Sequence, residues 1–286
     1  MPHPVPVLLP APSRRGRPVL LAVAHGSRDP RAAAALDRLT ERVRRLDAEC
    51  DIRLSYVDHT TPSLGQALAE VAEQGQSAAV VPLLLSAAAH SKGDIPGSIL
   101  AARATYPTLR IGYGRVLGPH PLLLEALQHQ LAVAGAPDDA AVVLAGTGSA
   151  DPAANAEVAG LARLLWEVRG GSPVDVAYAS ATSPTVPEAI ARLDRLGHDR
   201  VAVASYFLAP GRLLDAVIAA APGTTVTEPL ADTEAVARLV HERYAEALAG
   251  TAAMNCDCCV YRTTWPGHEH RVGQPQRPHP HPAELS

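Results

Sequence analysis

VLLAVAHGSRDP, residues 19–30, is the stretch whose reading decides the fold. Val19 to Ala24 has the length and β-branched content of a buried strand, and His25 ends it. Gly26 and Ser27 form a turn, and Asp29 with Pro30 supplies an N-cap and a first-turn proline for the alanine-rich segment that follows. Strand, polar turn and helix make the first half of a βαβ unit. In open parallel sheets the ligand crevice lies beyond the carboxyl ends of the strands, so His25 stands where chemistry is usually done. The plainer alternative is a histidine that only hydrogen-bonds its own turn.

Working outward, the same pattern returns. HGSRDP at 25–30 recurs as TGSADP at 147–152, and SYVDHTTPSL at 55–64 as AYASATSPTV at 177–186, both at an offset of 122 residues. VVPLLLSAAAH, ending at His90, maps onto VASYFLAPGR, ending at Arg212, at the same offset. Self-similarity at one spacing marks a duplicated unit. Strands are expected near 19–24, 52–57, 79–85 and 109–113, then near 141–145, 174–179, 201–207 and 224–228. Helices are expected near 31–47, 63–74, 95–105 and 120–133, then near 153–169, 185–196, 211–220 and 232–249. The expected fold is α/β: two tandem duplicated domains, each a four-stranded parallel sheet flanked by helices, plus a disordered tail. The domains are expected at 18–133 and 134–250, after a proline-rich disordered leader at 1–17 and before a Cys/His-rich tail at 251–286.

Composition narrows the function classes. A formal net charge of −4 over 286 residues gives no broad attraction to nucleic acid or to an anionic membrane. No apolar run approaches the roughly 18 residues that span a bilayer, and the leader places its arginines after its apolar patch, so a cytoplasmic protein is expected. Cys50 reads as a small buried or half-buried residue, whereas Cys256, Cys258 and Cys259 crowd too closely for a disulfide framework and suit metal or cluster ligation.

Comparing the two copies separates scaffold from chemistry. Gly26 and Gly148, Ser27 and Ser149, Asp29 and Asp151, and Pro62 and Pro184 are kept in both. His25 corresponds to Thr147, Asp58 to Ser180 and His90 to Arg212, so two imidazoles and a carboxylate occur only in the first copy. Each falls at or just beyond the carboxyl end of a different strand of one sheet. Such a trio suits a borderline divalent ion, and three ligands leave positions open, as catalysis or handover requires. His59 should face away from Asp58 in an extended strand and counts only as a substitute at the rim. Arg28, Lys92, Arg115 and Arg212 lie on loops at the predicted crevice, and helix N-termini after Ser27 and Ser91 add donors for anions. His120 directly precedes Pro121 and reads as a helix-start residue.

HGSRDP, YVDHTTPSL, LLLSAAAHSKGDIP and GRVLGPHPLL at 114–123 together resemble the class II chelatases, in particular the sirohydrochlorin chelatases of cobalamin and sirohaem biosynthesis. The resemblance covers roughly residues 18–250 as two fused copies. It implies a lyase that inserts Co2+ or Fe2+ into sirohydrochlorin, with His25 and His90 as the metal-binding and proton-accepting pair. The family commonly has glutamate where this chain has Asp58, which keeps the charge one methylene further back. Sirohydrochlorin carries many carboxylates, which the four cations would meet. The tail's MNCDCC, with Met254, Cys256 and Cys259, and its His268, His270, His279 and His281 resemble a long form of the cobalt-inserting enzymes that holds a 4Fe–4S cluster. Three tail cysteines fall short of four thiolates, so a cluster would be shared across a homodimer or take a non-cysteine ligand. Two copies in one chain make a monomer equally feasible. The competing reading is a non-catalytic metal-binding or delivery protein; a flavodoxin-type cofactor domain ranks lower, because no Gly-rich phosphate fingerprint is present.

Overall fold

The computed structural model describes residues 16–252, with 264 and 269–272 beyond them. Two four-stranded parallel sheets organise it. The first contains β1 (Val19–Ala24), β2 (Ile52–Tyr56), β3 (Ala78–Pro82) and β4 (Ile111–Tyr113) in the order β2-β1-β3-β4. The second contains β5 (Ala141–Gly146), β6 (Val174–Tyr178), β7 (Val201–Ser205) and β8 (Thr225–Val226) in the order β6-β5-β7-β8. The helices are α1 (Pro30–Leu46), α2 (Leu64–Glu73), α3 (Ile95–Thr105), α4 (Pro121–Val133), α5 (Pro152–Val168), α6 (Val186–Arg195), α7 (Arg212–Ala219) and α8 (Glu234–Ala249). A single π-helical turn, His90–Asp94, runs directly into α3.

Both faces of β1 are buried, as the continuous apolar run requires of a central parallel strand. Val19, Leu21 and Val23 join Leu64, Leu68 and Val71 of α2 and Ile95 and Ile99 of α3 in one core. Leu20 and Ala22, on the other face, are equally inaccessible. The second sheet repeats the scheme with Ala141, Val143 and Ala145 packed on Val186, Ala189 and Leu193 of α6. The caps repeat as well. Ser63 and Gln66 form a capping box at the start of α2, and Thr185 and Glu188 form the same box at α6. Asp29 accepts from the Arg31 N–H at 2.9 Å, and Asp151 from the Ala153 N–H at 3.0 Å.

One feature of the repeat differs from its sequence reading. The offset of 122 holds for β1 and β2, but β3 begins at Ala78 and β7 at Val201, an offset of 123. The second copy is therefore one residue longer between its second and third strands, and α7 starts at Arg212 with no π-turn before it.

The chain divides into two compact units that do not follow chain order. The first takes the described residues up to Arg28, Thr40–Leu117 and those from Ala237 onward; the second takes Asp29–Leu39 and Gly118–Val236. In the first unit α8 is anchored by Arg243, which is fully buried and donates to the carbonyls of Val116 at 2.9 Å and Leu117 at 3.0 Å. No described helix is long and apolar enough to cross a membrane.

Candidate active site

The site is built in the first unit from three strand ends. His25 follows β1, and the chain after β2 is stitched to it: the Val57 N–H donates to the Ala24 carbonyl at 3.0 Å and the Asp58 N–H to the His25 carbonyl at 2.9 Å. Gly26 makes this approach possible. Its φ is +97°, and a Cβ there would lie 1.7 Å from the Asp58 carbonyl oxygen, so no other residue fits. Thr60 Oγ1 then ties the two loops, accepting from the Ser27 N–H at 3.2 Å and donating to the Ser27 carbonyl at 3.1 Å.

His90 arrives from β3 on the first residue of the π-turn, an irregularity that is frequent at functional sites. Its Nδ1 lies 2.6 Å from Oδ2 of Asp94, a carboxylate whose side chain is only 5% exposed. In the neutral tautomer whose Nδ1–H donates to that oxygen, Nε2 would carry the lone pair. The Tyr113 hydroxyl at the end of β4 donates to the Ser91 carbonyl at 2.7 Å and fixes the turn to the sheet; burial pushes that phenol well above its ordinary range.

The structure brings His25 and His90 together, with ring centroids 4.6 Å apart and planes inclined by 42°. Asp58 does not complete a trio with them. Its Oδ1 accepts from the His59 N–H at 2.7 Å and its Oδ2 lies 3.0 Å from His59 Nε2. Among the described residues no three His, Cys, Asp or Glu side chains are already gathered around a common metal position. His59 does not face away, because β2 ends at Tyr56 and the chain bends: His59 has a φ of +60°, and its ring meets that of His25 edge-on at 5.9 Å.

The predicted cations fare unequally. Arg28 is exposed and Lys92 half-buried, each within two or three residues of a site histidine. Arg115 is held by Glu246 of α8 through two bonds of 3.0 and 2.8 Å. Arg212 is the first residue of α7, in the second unit. Of the anion donors expected after Ser91, the Lys92 N–H is already used, donating to the Ala88 carbonyl at 3.0 Å. His120 caps α4, its Nδ1 accepting from the Leu122 N–H at 3.2 Å, as its place before Pro121 suggests. Cys50 is buried, which raises its thiol to about 11. Met254, Cys256, Cys258, Cys259, His268, His279 and His281 lie outside the described residues, whereas His270 is described and exposed.

Asp94 escaped the sequence reading, which took the residues before Ile95 as a plain helix start. Its spacing of four residues from His90 was the available signal, since such a pair shares one face of a turn.

The second unit keeps the frame and lacks the chemistry. Gly148 has a φ of +81°, and a Cβ there would lie 2.0 Å from the Ser180 carbonyl oxygen. Ala181 has a φ of +63° where His59 has +60°. The side chains in this frame are those of Thr147, Ser180 and Ala181, and the π-turn is missing.

The arrangement supplies two adjacent imidazoles on an accessible surface, one of them paired with a buried carboxylate. Comparison with known proteins agrees in kind. The chain is 31% identical over 265 residues to a sirohydrochlorin cobaltochelatase of Priestia megaterium, covering 85% of this chain and 84% of that protein. It is 31% identical over 200 residues to a sirohydrochlorin ferrochelatase of Bacillus subtilis strain 168, covering 69% and 77%. Among solved structures, SirB from Bacillus subtilis with Fe3+ superposes with a TM-score of 0.72 at 28% identity, covering 82% of this chain and 97% of that one. A SirB chain in complex with cobalt gives 0.66 at 26% identity, covering 81% and 95%. The CbiX family model matches twice, over residues 19–134 and 141–247, once on each copy of the repeat, and the chain belongs to that family.

Proposed function

We propose that this protein is a chelatase that inserts a divalent metal, Co2+ or Fe2+, into sirohydrochlorin. The observation that carries the reading is the His25–His90 pair, 4.6 Å between ring centroids, present in one copy of a duplicated frame and replaced by Thr147 and Arg212 in the other. The relatives named above supply the substrate class. Metallation removes two pyrrole N–H protons as the ion enters, so the site must hold M2+ weakly and offer a base. Neutral imidazole, with an ordinary pKa near ~6.5, serves for either task. In this reading one of His25 and His90 presents the ion and the other accepts a pyrrole proton, with Asp94 keeping His90 Nε2 turned outward. Arg28, Lys92 and Arg212 are the proposed partners of the substrate's carboxylates; Arg115 would join them by exchanging its bond to Glu246.

The test is anaerobic absorbance of sirohydrochlorin with Co2+ or Fe2+ and the wild-type, His25→Ala or His90→Ala protein. Wild type should metallate the pigment well above the spontaneous rate, and either substitution should bring it to the blank. Three proteins that bind metal but match the blank would replace the enzyme with a metal carrier.

We place the activity in the cytoplasm, where a free thiol such as Cys50 persists, and assign residues 18–133 to the active copy and 134–250 to the degenerate one. For the tail we infer a redox or storage role. Cys256, Cys258 and Cys259 provide three thiolates toward a 4Fe–4S cluster, the fourth ligand coming from a partner chain or another residue. Iron and sulfide content of anaerobically purified protein should fall in Cys256→Ser; an unchanged content removes the tail from the account.

A further inference from the structure

We propose that Tyr113 is a positioning residue for metallation: its hydroxyl holds the turn that carries His90 in π-helical form and so keeps that imidazole beside His25. The proposal rests on the chelatase reading of the same site and adds a residue from outside both histidine loops.

The form of the turn depends on which N–H reaches which carbonyl. The Ile95 N–H donates to the His90 carbonyl, five residues back, and this makes the turn a π-turn. In an α-helix the same N–H would serve the Ser91 carbonyl instead. At the five-residue spacing the donor to Ser91 would be residue 96, which is proline and has no N–H. Ser91 is buried, and a buried backbone carbonyl needs a partner. The Tyr113 hydroxyl donates to it at 2.7 Å, in the place of both helical N–H groups. Burial pushes this phenol well above its ordinary range, so it keeps its proton and remains a donor.

The competing arrangement is one hydrogen bond away. If the Ile95 N–H moved from the His90 carbonyl to that of Ser91, the π-turn would become α-helix. The residues before it would then turn by one helical position, about 100°, relative to α3. Ile95 and Ile99 fix α3 in the core, so His90 is the side that moves. Its ring would leave that of His25, now 4.6 Å away between centroids. With Ser91 already served by Tyr113, the Ile95 N–H stays on His90.

The second copy shows the same frame without this device. Val80 pairs with Tyr113 and Val203 pairs with Val226 at equivalent places in their sheets, so valine stands where the first copy has tyrosine. α7 contains no proline, has no π-turn before it and bears no imidazole. Pro96, Tyr113, the π-turn and His90 thus occur together in one copy and are missing together from the other. Tyr113 is 22 residues from Ser91 in the chain, and the sheet brings it there.

The test compares two tyrosines in the full-length protein. Tyr113→Phe removes a hydroxyl from a backbone carbonyl at the site. Tyr244→Phe makes the same change at the far end of β1, where Tyr244 donates to the Pro18 carbonyl. Metallation of sirohydrochlorin by Co2+ gives kcat and KM, and isotope-labelled histidine gives the ring signals and the NOE between the His25 and His90 rings. Thermal melting checks the fold, and both variants are assayed well below their midpoints. Tyr113→Phe should lower kcat about tenfold or more with KM within about twofold, shift the His90 signals and weaken the NOE. Tyr244→Phe should leave kcat and those signals as in the wild type. With 4-aminophenylalanine at position 113, which restores a donor, kcat and the signals should recover. An equal loss of kcat in both Phe variants would reduce Tyr113 to a general stabiliser and overturn the proposal. So would His90 signals that stay in place in Tyr113→Phe, or a donor at position 113 that recovers nothing. The ring signals need no pigment, so the two readings fail separately. A wild type inert toward sirohydrochlorin would sink the chelatase reading and leave the role of Tyr113 in the turn to the NOE, whereas an active Tyr113→Phe with unmoved signals would sink only this proposal.

Discussion

Asp94 is where a single side chain sets the chemistry of its neighbour. Buried at the end of the π-turn, its carboxylate engages the Nδ1 side of the His90 ring. Asn in its place keeps the size and removes the charge, so His90 loses both its fixed ring orientation and its preference for the Nδ1–H tautomer. Asp94→Asn should lower the metallation rate about 10- to 100-fold with little loss of fold, measured as initial rate beside the melting temperature. An unchanged rate would mean that packing alone orients His90. The sequence made His25 and His90 legible because the repeat supplied an internal comparison at which both differ. Asp94 was less so: its partner lies four residues away on a turn whose π geometry no local pattern announces.

The element that organises the site is the bend after β2. Its strand was read one residue too long, to 57 in place of Tyr56, and that small extension turned His59 to the wrong side. Alternation along a strand is reliable only while the strand lasts. Nothing in YVDHTTPSL says that the ladder is continued past Tyr56 by the bonds of Val57 and Asp58 to Ala24 and His25 while the chain is already turning. Glycine did carry the information. Gly26 and Gly148 were both retained, and each proves to be a place where a neighbouring carbonyl occupies the space of a Cβ. The strands and helices themselves were legible to within about three residues, because apolar runs, N-caps and prolines punctuate them twice over. The cations were not. The sequence puts Arg115 on a loop by the crevice, and only the fold reveals that Glu246, 131 residues away, binds it.

For the whole molecule, α8 is the piece that closes the first unit, and its attachment is electrostatic as well as apolar. Burial works to raise the Glu246 carboxyl, but the bonds from Arg115 and the nearby charge of Arg243 outweigh it and hold the group below the usual carboxylate range. A depressed carboxyl stabilises the fold above its unfolded value, ~4.3 for glutamate, and that contribution is lost as pH falls through the lower folded value. Melting temperature should therefore decline for the wild type below about pH 4.3, beyond the decline common to its other acids. Glu246→Gln should melt lower at neutral pH and show a shallower decline in acid; parallel curves for the two proteins would show that the carboxylate adds nothing. The interleaving of the units has a consequence in time. Unit 1 draws on residues from Ala237 onward, so its last packing partners leave the ribosome only after nearly all of the second unit has emerged. The half that carries His25 and His90 is begun first and finished last. During synthesis every residue of the second unit has been made while the first unit still waits for its closing segment, from Ala237 onward.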